Sequence, residues 1–380
     1  MTSHIRPVIA LSGAIVFLVL STTVAHANEP LRSRPDARAA VAAAQKVAPG
    51  GIDELRAVRL GGIDQWISVR GNDPRNPILL FIHGGPGAAM MAESWTFQRP
   101  WEDFFTVVQW DQRGAGKTFS SAKRRLDKSL SVGRIQADGE ELIALLLKTY
   151  KKDKIFLMGH SFGSELGVRI AQHHPEWLYA YIGVGQLVNG QLNEAIGYKE
   201  TLAEAERVGN KQAIEELKAI APYPEADGTI PPAKTMAERK WDVALGGMIY
   251  GQSDDDELLR RSMSPLYSDY DVQSSDLGED ASFNALWKEA TAVDFRNTTQ
   301  FKCPVFIFAG AHDRTTPTTL SKEWFSHVQA PVKKLFIIEN AAHYVVNEAP
   351  GDVLVDLVEN VRPLDVAART ARIRGIGDAR

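Results

Sequence analysis

The chain has 380 residues, of which 44% are hydrophobic and 24% charged, a composition typical of a globular protein long enough for one large domain and an insertion. Its net charge is −4, and it has neither a basic helix nor an array of basic and aromatic residues, so nucleic acid is excluded as an expected partner. The single cysteine, Cys303, cannot form an intramolecular disulfide, and we expect it to be a small buried hydrophobic residue.

Residues 1–27 have the three parts of a signal peptide. Arg6 makes the start weakly positive, residues 8–20 are almost wholly apolar, and Ala25-His26-Ala27 matches a small-residue cleavage site. The sequence therefore predicts export to the periplasm or the medium, with no stable membrane association after cleavage. A retained membrane anchor is the alternative, although the apolar run is short for a spanning helix.

Strand and helix patterns alternate in residues 28–186, the first part of the predicted core. A helix over residues 35–47 precedes a hairpin around Gly61-Gly62, and a second helix is predicted at 135–150. The continuous apolar run at residues 77–82 predicts a strand buried on both faces of a sheet, and further strands are predicted at 106–110, 155–158 and 178–184. The alternation indicates a mostly parallel, doubly wound α/β sheet.

Residues 187–300 interrupt this alternation with helical patterns alone, at 193–208, 211–220 and 237–250. We interpret the segment as a helical cap inserted into the core. It contains 21 acidic and 11 basic residues, a net charge of −10 against −4 for the whole chain. Such a cap would attract protonated amines, although solvated outer helix faces explain the same acidity.

The core pattern returns in residues 301–361, with strands predicted at 304–308 and 334–338 and helices at 320–327 and 353–361. Residues 362–380 form an arginine-rich C-terminal tail.

The strand at residues 155–158 leads into Gly159-His160-Ser161-Phe162-Gly163 and then an amphipathic helix. This Gly-x-Ser-x-Gly pattern between a strand and a helix is typical of a nucleophile elbow, in which a tight turn lifts the serine hydroxyl above the sheet edge. Side chains two residues on either side would collide in that turn, so glycine is required at 159 and 163. The pattern predicts Ser161 as a nucleophile.

A serine hydroxyl needs a base within hydrogen-bond reach and an acid that orients the base. In this kind of fold the acid and the base follow the nucleophile in the order Asp, His, after the ends of later strands. Asp313 and His343 satisfy this order. His312 is a rival base, but it adjoins the acid in a turn.

An oxyanion formed by attack on a carbonyl needs two backbone donors. We expect them to be the amides of Phe162, at a helix N-terminus, and of Gly85, in the glycine-rich loop that follows the first buried strand. His83 and His160, which lie in these two motifs, are expected to hold loops by hydrogen bonds. With no H-E-x-x-H motif and scattered histidines, neither a metal nor a cofactor is predicted.

Residues 111–118 resemble a phosphate-binding loop in composition, but their glycines do not have the spacing that such a loop requires. The pattern G-x-x-x-x-G-K-[ST] requires glycine at the position of Asp111. We expect a structural turn instead, in which Asp111 and Arg113 bind each other and nearby backbone.

Together, His83-Gly84-Gly85-Pro86-Gly87, the segment at 110–117 and the elbow resemble the proline iminopeptidase branch of the α/β-hydrolase superfamily. The resemblance covers residues 50–186 and 303–361. It implies an α/β-hydrolase fold and a serine exopeptidase that removes an N-terminal residue, often proline, from a short peptide.

The same resemblance implies that Ser161, Asp313 and His343 form a catalytic triad. The family's elbow usually has the sequence Gly-Gly-Ser-Trp-Gly, whereas this chain has His160 in place of the second glycine and Phe162 in place of the tryptophan. Two substrate classes therefore stay open: a small peptide or amide with a free amino group, and a carboxylic ester or lactone.

The ester alternative predicts an apolar pocket lined by cap aromatics, namely Tyr198, Trp241, Tyr250 and Trp287. A non-hydrolytic lyase or binding protein on the same fold is a third possibility, and a complete set of site residues argues against it.

Overall fold

The computed structural model of the protein describes residues 34–251 and 254–368. The signal-peptide prediction for residues 1–27 and the end of the predicted tail, from residue 369, lie outside this range. Within it, no helix is long and apolar enough to span a bilayer.

An eight-stranded sheet forms the centre of the described chain, with strand order β1-β2-β4-β3-β5-β6-β7-β8. Strand β2 pairs antiparallel with both β1 and β4, and all the other neighbouring strands pair in parallel. The strands are β1 (Ile52–Leu60), β2 (Ile63–Gly71), β3 (Ile78–Ile82), β4 (Thr106–Asp111), β5 (Ile155–His160), β6 (Leu178–Val184), β7 (Val305–Gly310) and β8 (Lys333–Ile338).

Helices cover both faces of the sheet. The helices outside the cap are α1 (Arg34–Ala44), α2 (Gly116–Ser121), α3 (Val132–Thr149), α4 (Phe162–His173), α10 (Thr318–His327), α11 (Val345–Glu348) and α12 (Pro350–Asp356), which a π-helical turn extends to Val361. The cap helices are α5 (Gly190–Val208), α6 (Lys211–Ala219), α7 (Pro232–Ala244), α8 (Asp254–Ser262) and α9 (Asp269–Ala290).

Alternate residues of the central strands belong to two separate hydrophobic clusters. Leu80 and Leu157 pack on the side of α3, α4 and α10, whereas Leu79 and Phe156 pack on the side of α12. All four side chains are fully buried. A strand covered on both faces must be apolar at every position, which is why these strands read as continuous apolar runs.

The cap emerges between β6 and β7, and a bridge between Asn189 and Asp294 closes its base. Its last helix, α9, packs on α2, where Lys117 Nζ lies 2.7 Å from Asp271 Oδ2. The predicted doubly wound sheet with an inserted helical cap is confirmed. The helix predicted over 237–250 instead ends at Ala244, since Gly246 adopts a φ of +76° and leaves the helical region.

The predicted bond between Asp111 and Arg113 was wrong. Asp111 accepts hydrogen bonds from the amide of Lys117 and the hydroxyl of Tyr267, whereas Arg113 lies 2.9 Å from Asp138 Oδ2. Both side chains are buried, and each buried charge requires its own partners. Asp111 therefore binds the first turn of α2, and Arg113 ties β4 to α3. Cys303 is buried, as predicted.

Candidate active site

Ser161 occupies the turn between β5 and α4 with a φ of 54° and a ψ of −123°, a region that serine rarely adopts. Two close backbone approaches surround it. A Cβ at Gly159 would lie 2.3 Å from the carbonyl oxygen of Gly163, and a Cβ at Gly163 would lie 2.2 Å from that of Ile82. Both glycines are therefore required, and the strained turn projects Ser161 beyond the sheet edge.

Asp313 and His343 follow β7 and β8, as predicted, and they contact each other. His343 Nδ1 lies 3.0 Å from Asp313 Oδ2. The carboxylate also accepts hydrogen bonds of 2.8 Å from the amide and the hydroxyl of Thr316. Both side chains are almost wholly buried. The contact orients the imidazole with Nδ1–H toward the acid, which leaves Nε2 available to accept a proton.

Ser161 and His343 line the same cavity, which has a volume of about 540 Å³. Gly85 and Phe162, the two predicted oxyanion donors, line it as well. Asp313 is not part of the lining and contacts His343 from behind. The rival base, His312, lies outside the cavity lining and stacks on Tyr250, with ring centroids 3.9 Å apart.

Local structure places the backbone amides of both predicted donors at the site. Phe162 is the first residue of α4, so its N–H has no intrahelical acceptor and lies at the positive end of the helix dipole. The loop containing Gly85 closes directly over the nucleophile, because a Cβ at Gly84 would lie only 2.7 Å from Ser161 Cβ. Glycine at 84 is thus what admits the loop to the site.

His83 and His160 hold loops, as predicted. His83 Nδ1 lies 2.9 Å from the carbonyl oxygen of Gly84, and its Nε2 accepts from the amide of Gln112. His160 Nε2 lies 2.9 Å from the carbonyl oxygen of His343. Burial lowers the pKa of His83 to about 4, and burial together with the neighbouring His343 lowers the pKa of His160 to about 3. Both rings are therefore neutral at physiological pH.

Of the four cap aromatics predicted to line a pocket, only Trp287 does so. Tyr198 and Trp241 pack in the interior of the cap, and Tyr250 stacks on His312. The sequence reasoning missed Phe283, which lies one helical turn before Trp287 on α9 and also lines the cavity. The spacing of four residues places both aromatics on the same face of a helix, and this spacing could have identified Phe283 from the sequence.

The charged groups that line the cavity come from the cap. Arg239 Nη2 lies 2.6 Å from Glu194 Oε1, and Arg239 also contacts Glu238, so this arginine is surrounded by carboxylates. Lys240 lies 2.6 Å from an oxygen of Glu216. The remaining charged residues of the lining are two carboxylates of α9, Glu279 and Asp280.

An elbow serine, a histidine–aspartate pair behind it and backbone donors above it define a site suited to acyl transfer. The sequence model of the alpha/beta hydrolase family matches residues 79–357. The chain belongs to this family, and its relatives place it in the proline iminopeptidase-like branch. It is a hydrolase.

A probable aminopeptidase of Bacillus subtilis, YbaC, is 28% identical over 301 residues, which cover 76% of this chain and 90% of that protein. The proline iminopeptidase of Neisseria meningitidis is 25% identical over 307 residues, covering 77% and 91%. The crystal structure of a proline iminopeptidase from Mycobacterium smegmatis superposes with a TM-score of 0.57 at 17% identity, covering 83% of this chain and all of that one, which is a likeness of fold.

Proposed function

We propose that the protein is a serine aminopeptidase that releases N-terminal residues from small peptides or amides, with Ser161, His343 and Asp313 as its catalytic triad. The observation that carries the proposal is the 3.0 Å contact between His343 and Asp313, on a cavity that His343 shares with the strained Ser161.

In the proposed reaction, His343 Nε2 takes the hydroxyl proton of Ser161 as Oγ attacks the scissile carbonyl carbon. The amides of Phe162 and Gly85 stabilise the resulting oxyanion, and the loss of one such donor typically costs about 2.7–4 kcal/mol. His343 then gives the proton to the leaving amine as the carbon–nitrogen bond breaks. Water, activated by the same imidazole, hydrolyses the acyl-enzyme and restores the serine.

The preference for a free amino group is supported by the charges on the cavity wall. Three carboxylates line the cavity, those of Glu194, Glu279 and Asp280, against the two cations Arg239 and Lys240. The formal charge of the lining is therefore negative. An α-amino group has a pKa near 7.7–8.0 and is mostly protonated at neutral pH, so such a wall favours its binding. The relatives named as a probable aminopeptidase and a proline iminopeptidase support the same substrate class.

Hydrolysis of a carboxylic ester is the second candidate, because Phe283 and Trp287 stack with centroids 4.4 Å apart on the cavity wall. Together with methionines of the lining, they offer an apolar surface to an acyl or alcohol group.

We also propose that the protein is exported, on the basis of the signal-peptide pattern in residues 1–27 alone. N-terminal sequencing of the mature protein tests this proposal.

The decisive experiment compares turnover of proline and alanine arylamides with turnover of short acyl arylesters. An aminopeptidase cleaves the arylamides, and ester cleavage without arylamide cleavage would establish the second candidate instead. A fluorophosphonate probe should label Ser161 and fail to label Ser161→Ala. Folded protein that resists the probe and turns over neither substrate would refute both.

A further inference from the structure

One short segment of the cap contacts both the loop that carries Asp313 and the loop that carries His343. We call residues 242–250, which comprise the end of α7 and the turn after it, the cap strap. Toward the loop that carries Asp313, the amide of Arg314 donates to the carbonyl oxygen of Gly247 at 3.1 Å. The guanidinium of Arg314 donates to the carbonyl oxygen of Leu245 at 2.8 Å. The strap thus holds the residue that directly follows the acid.

The same strap holds the loop of the base. The amide of His343 donates to the carbonyl oxygen of Met248 at 3.0 Å. The amide of Tyr250 donates to Glu348, whose second oxygen accepts from the amide of Ala342 at 3.0 Å. A segment that belongs to neither loop therefore fixes the main chain at and beside His343.

Asp242 anchors the strap through its side chain. Its Oδ2 accepts from the hydroxyl of Thr315 at 2.7 Å, and its Oδ1 lies 3.2 Å from Nε of Arg314. The carboxylate is completely buried, yet Asp242 is not among the residues that line the cavity. A Cβ at Gly247 would lie 1.9 Å from Asp242 Oδ1, so the strap closes directly on this side chain.

We propose that Asp242 is a positioning residue, which fixes Asp313 against His343 by holding the two residues that follow the acid. The inference rests on the proposed triad and adds a cap residue to its support. The acid and the base lie on separate loops, which the amide of His312 joins directly by donating to the carbonyl oxygen of Ala341 at 3.0 Å. The strap is bonded to both loops and so provides a second connection behind the 3.0 Å contact of Asp313 and His343. A displacement of about 1 Å in a catalytic group can cost on the order of a hundredfold in rate.

Other charges also act on this carboxylate. Burial raises the pKa of the Asp242 carboxyl and Asp313 adds to the rise, whereas Arg239 and Arg314 oppose it. Glu238 also repels this carboxylate. A change at Asp242 could therefore alter the field at His343 without moving any atom. The test must separate that effect from positioning.

Three variants make the separation. Asp242→Asn removes the charge and weakens the anchor. Arg314→Lys keeps the charge but loses the planar fork that contacts both Asp242 and Leu245. Asp276→Asn is the matched control, since Asp276 pairs with Arg261 at 2.9 Å elsewhere on the cap. Thermal unfolding of each variant, followed by circular dichroism, reports folding, and Arg314→Lys carries the test if Asp242→Asn does not fold.

We expect kcat to fall about 10- to 100-fold in both Asp242→Asn and Arg314→Lys, with KM changed less than about twofold because neither residue lines the cavity. The rising limb of the pH profile of kcat/KM should move to lower pH in Arg314→Lys as well as in Asp242→Asn. Because Arg314→Lys retains its charge, a shift in that variant cannot come from a lost charge, and a general loss of stability would not cause it. Asp276→Asn should resemble the wild type in all three measurements.

An unchanged kcat in Arg314→Lys would overturn the proposal, because Asp242 would then act only through its charge. A loss of kcat in Asp276→Asn equal to that in Asp242→Asn would also overturn it, because the effect would then be a general one of the cap. These results are distinct from failure of the proposed function, in which the wild type itself neither turns over substrate nor reacts with the fluorophosphonate.

Discussion

His160 and His343 are joined by a hydrogen bond between a side chain and the main chain. His160 Nε2 lies 2.9 Å from the carbonyl oxygen of His343, and the two ring centroids are 4.7 Å apart. The residue that directly precedes the nucleophile therefore supports the main chain of the proposed base. Its low pKa keeps it neutral, so it places no second positive charge beside an imidazolium at His343.

This contact predicts different outcomes for two substitutions of His160. His160→Gln retains an N–H donor for the carbonyl of His343, whereas His160→Leu retains a similar volume without a donor. A neutral hydrogen bond contributes about 1 kcal/mol, so we expect kcat to fall roughly fivefold in the leucine variant and much less in the glutamine variant. Steady-state kinetics at fixed pH measure both, and equal losses would show that the donor is not what matters.

The proposed acid gives a second prediction. Asp313→Asn keeps the shape of the side chain but favours the wrong tautomer of His343, a change that costs about 10⁴ in kcat in other serine hydrolases. We expect a loss of similar size here, with labelling by fluorophosphonate slowed in parallel. Asp276→Asn serves as the control, and a loss of less than tenfold in Asp313→Asn would contradict the role of Asp313.

The elbow predicts a loss of stability on substitution of Gly163. The added methyl group of Gly163→Ala would lie 2.2 Å from the carbonyl oxygen of Ile82, so either the elbow or β3 must move. We expect a destabilisation of about 3 kcal/mol or more, measured by denaturant unfolding. Gly133→Ala is the control, because nothing lies within 4 Å of a Cβ there and alanine should stabilise α3 by up to about 1 kcal/mol.

The acidic wall predicts a substrate-dependent effect. Glu279→Gln and Asp280→Asn each remove a carboxylate from the cavity lining, so we expect KM for an aminoacyl arylamide to rise about 5- to 50-fold. KM for a neutral acyl ester should not change. Asp276→Asn, on the same helix but outside the lining, should affect neither substrate. A parallel rise for both substrates would indicate a distorted cavity rather than recognition of an amine.

The pH dependence of stability is predicted by Asp111. Burial raises its pKa to about 7, although the hydroxyl of Tyr267 and the amide of Lys117 partly oppose this. Between about pH 4 and 7 the unfolded chain has therefore released a proton that the folded protein retains. The folded state binds more protons in this window, so the free energy of unfolding falls as pH rises.

The comparison with Asp111→Asn isolates this contribution, because asparagine resembles the neutral acid. Relative to the variant, the wild type should lose about 2–4 kcal/mol of stability between pH 4 and pH 7. Urea denaturation of both proteins across this range measures the difference. A constant difference would show that the Asp111 carboxyl titrates alike in the folded and unfolded chains.

Much of the architecture could be predicted because it depends on local patterns. A strand buried on both faces must be apolar throughout, so β3, β5 and β7 could be recognised from their sequences. The turn at Ser161 also has local requirements, since it admits only glycine two residues before and after the serine.

The sequence by itself thus determined the fold class and the positions of Ser161, Asp313 and His343 at the ends of strands. It could not determine the partners of buried polar groups, because these come from distant segments, and for that reason the expected bond between Asp111 and Arg113 was wrong. Only the tertiary structure decided that Trp287 and Phe283 line the cavity while Trp241 does not, and that Asp242 anchors the loop of the acid. Such contacts depend on how the cap packs on the core, and no repeating pattern along the chain encodes that packing.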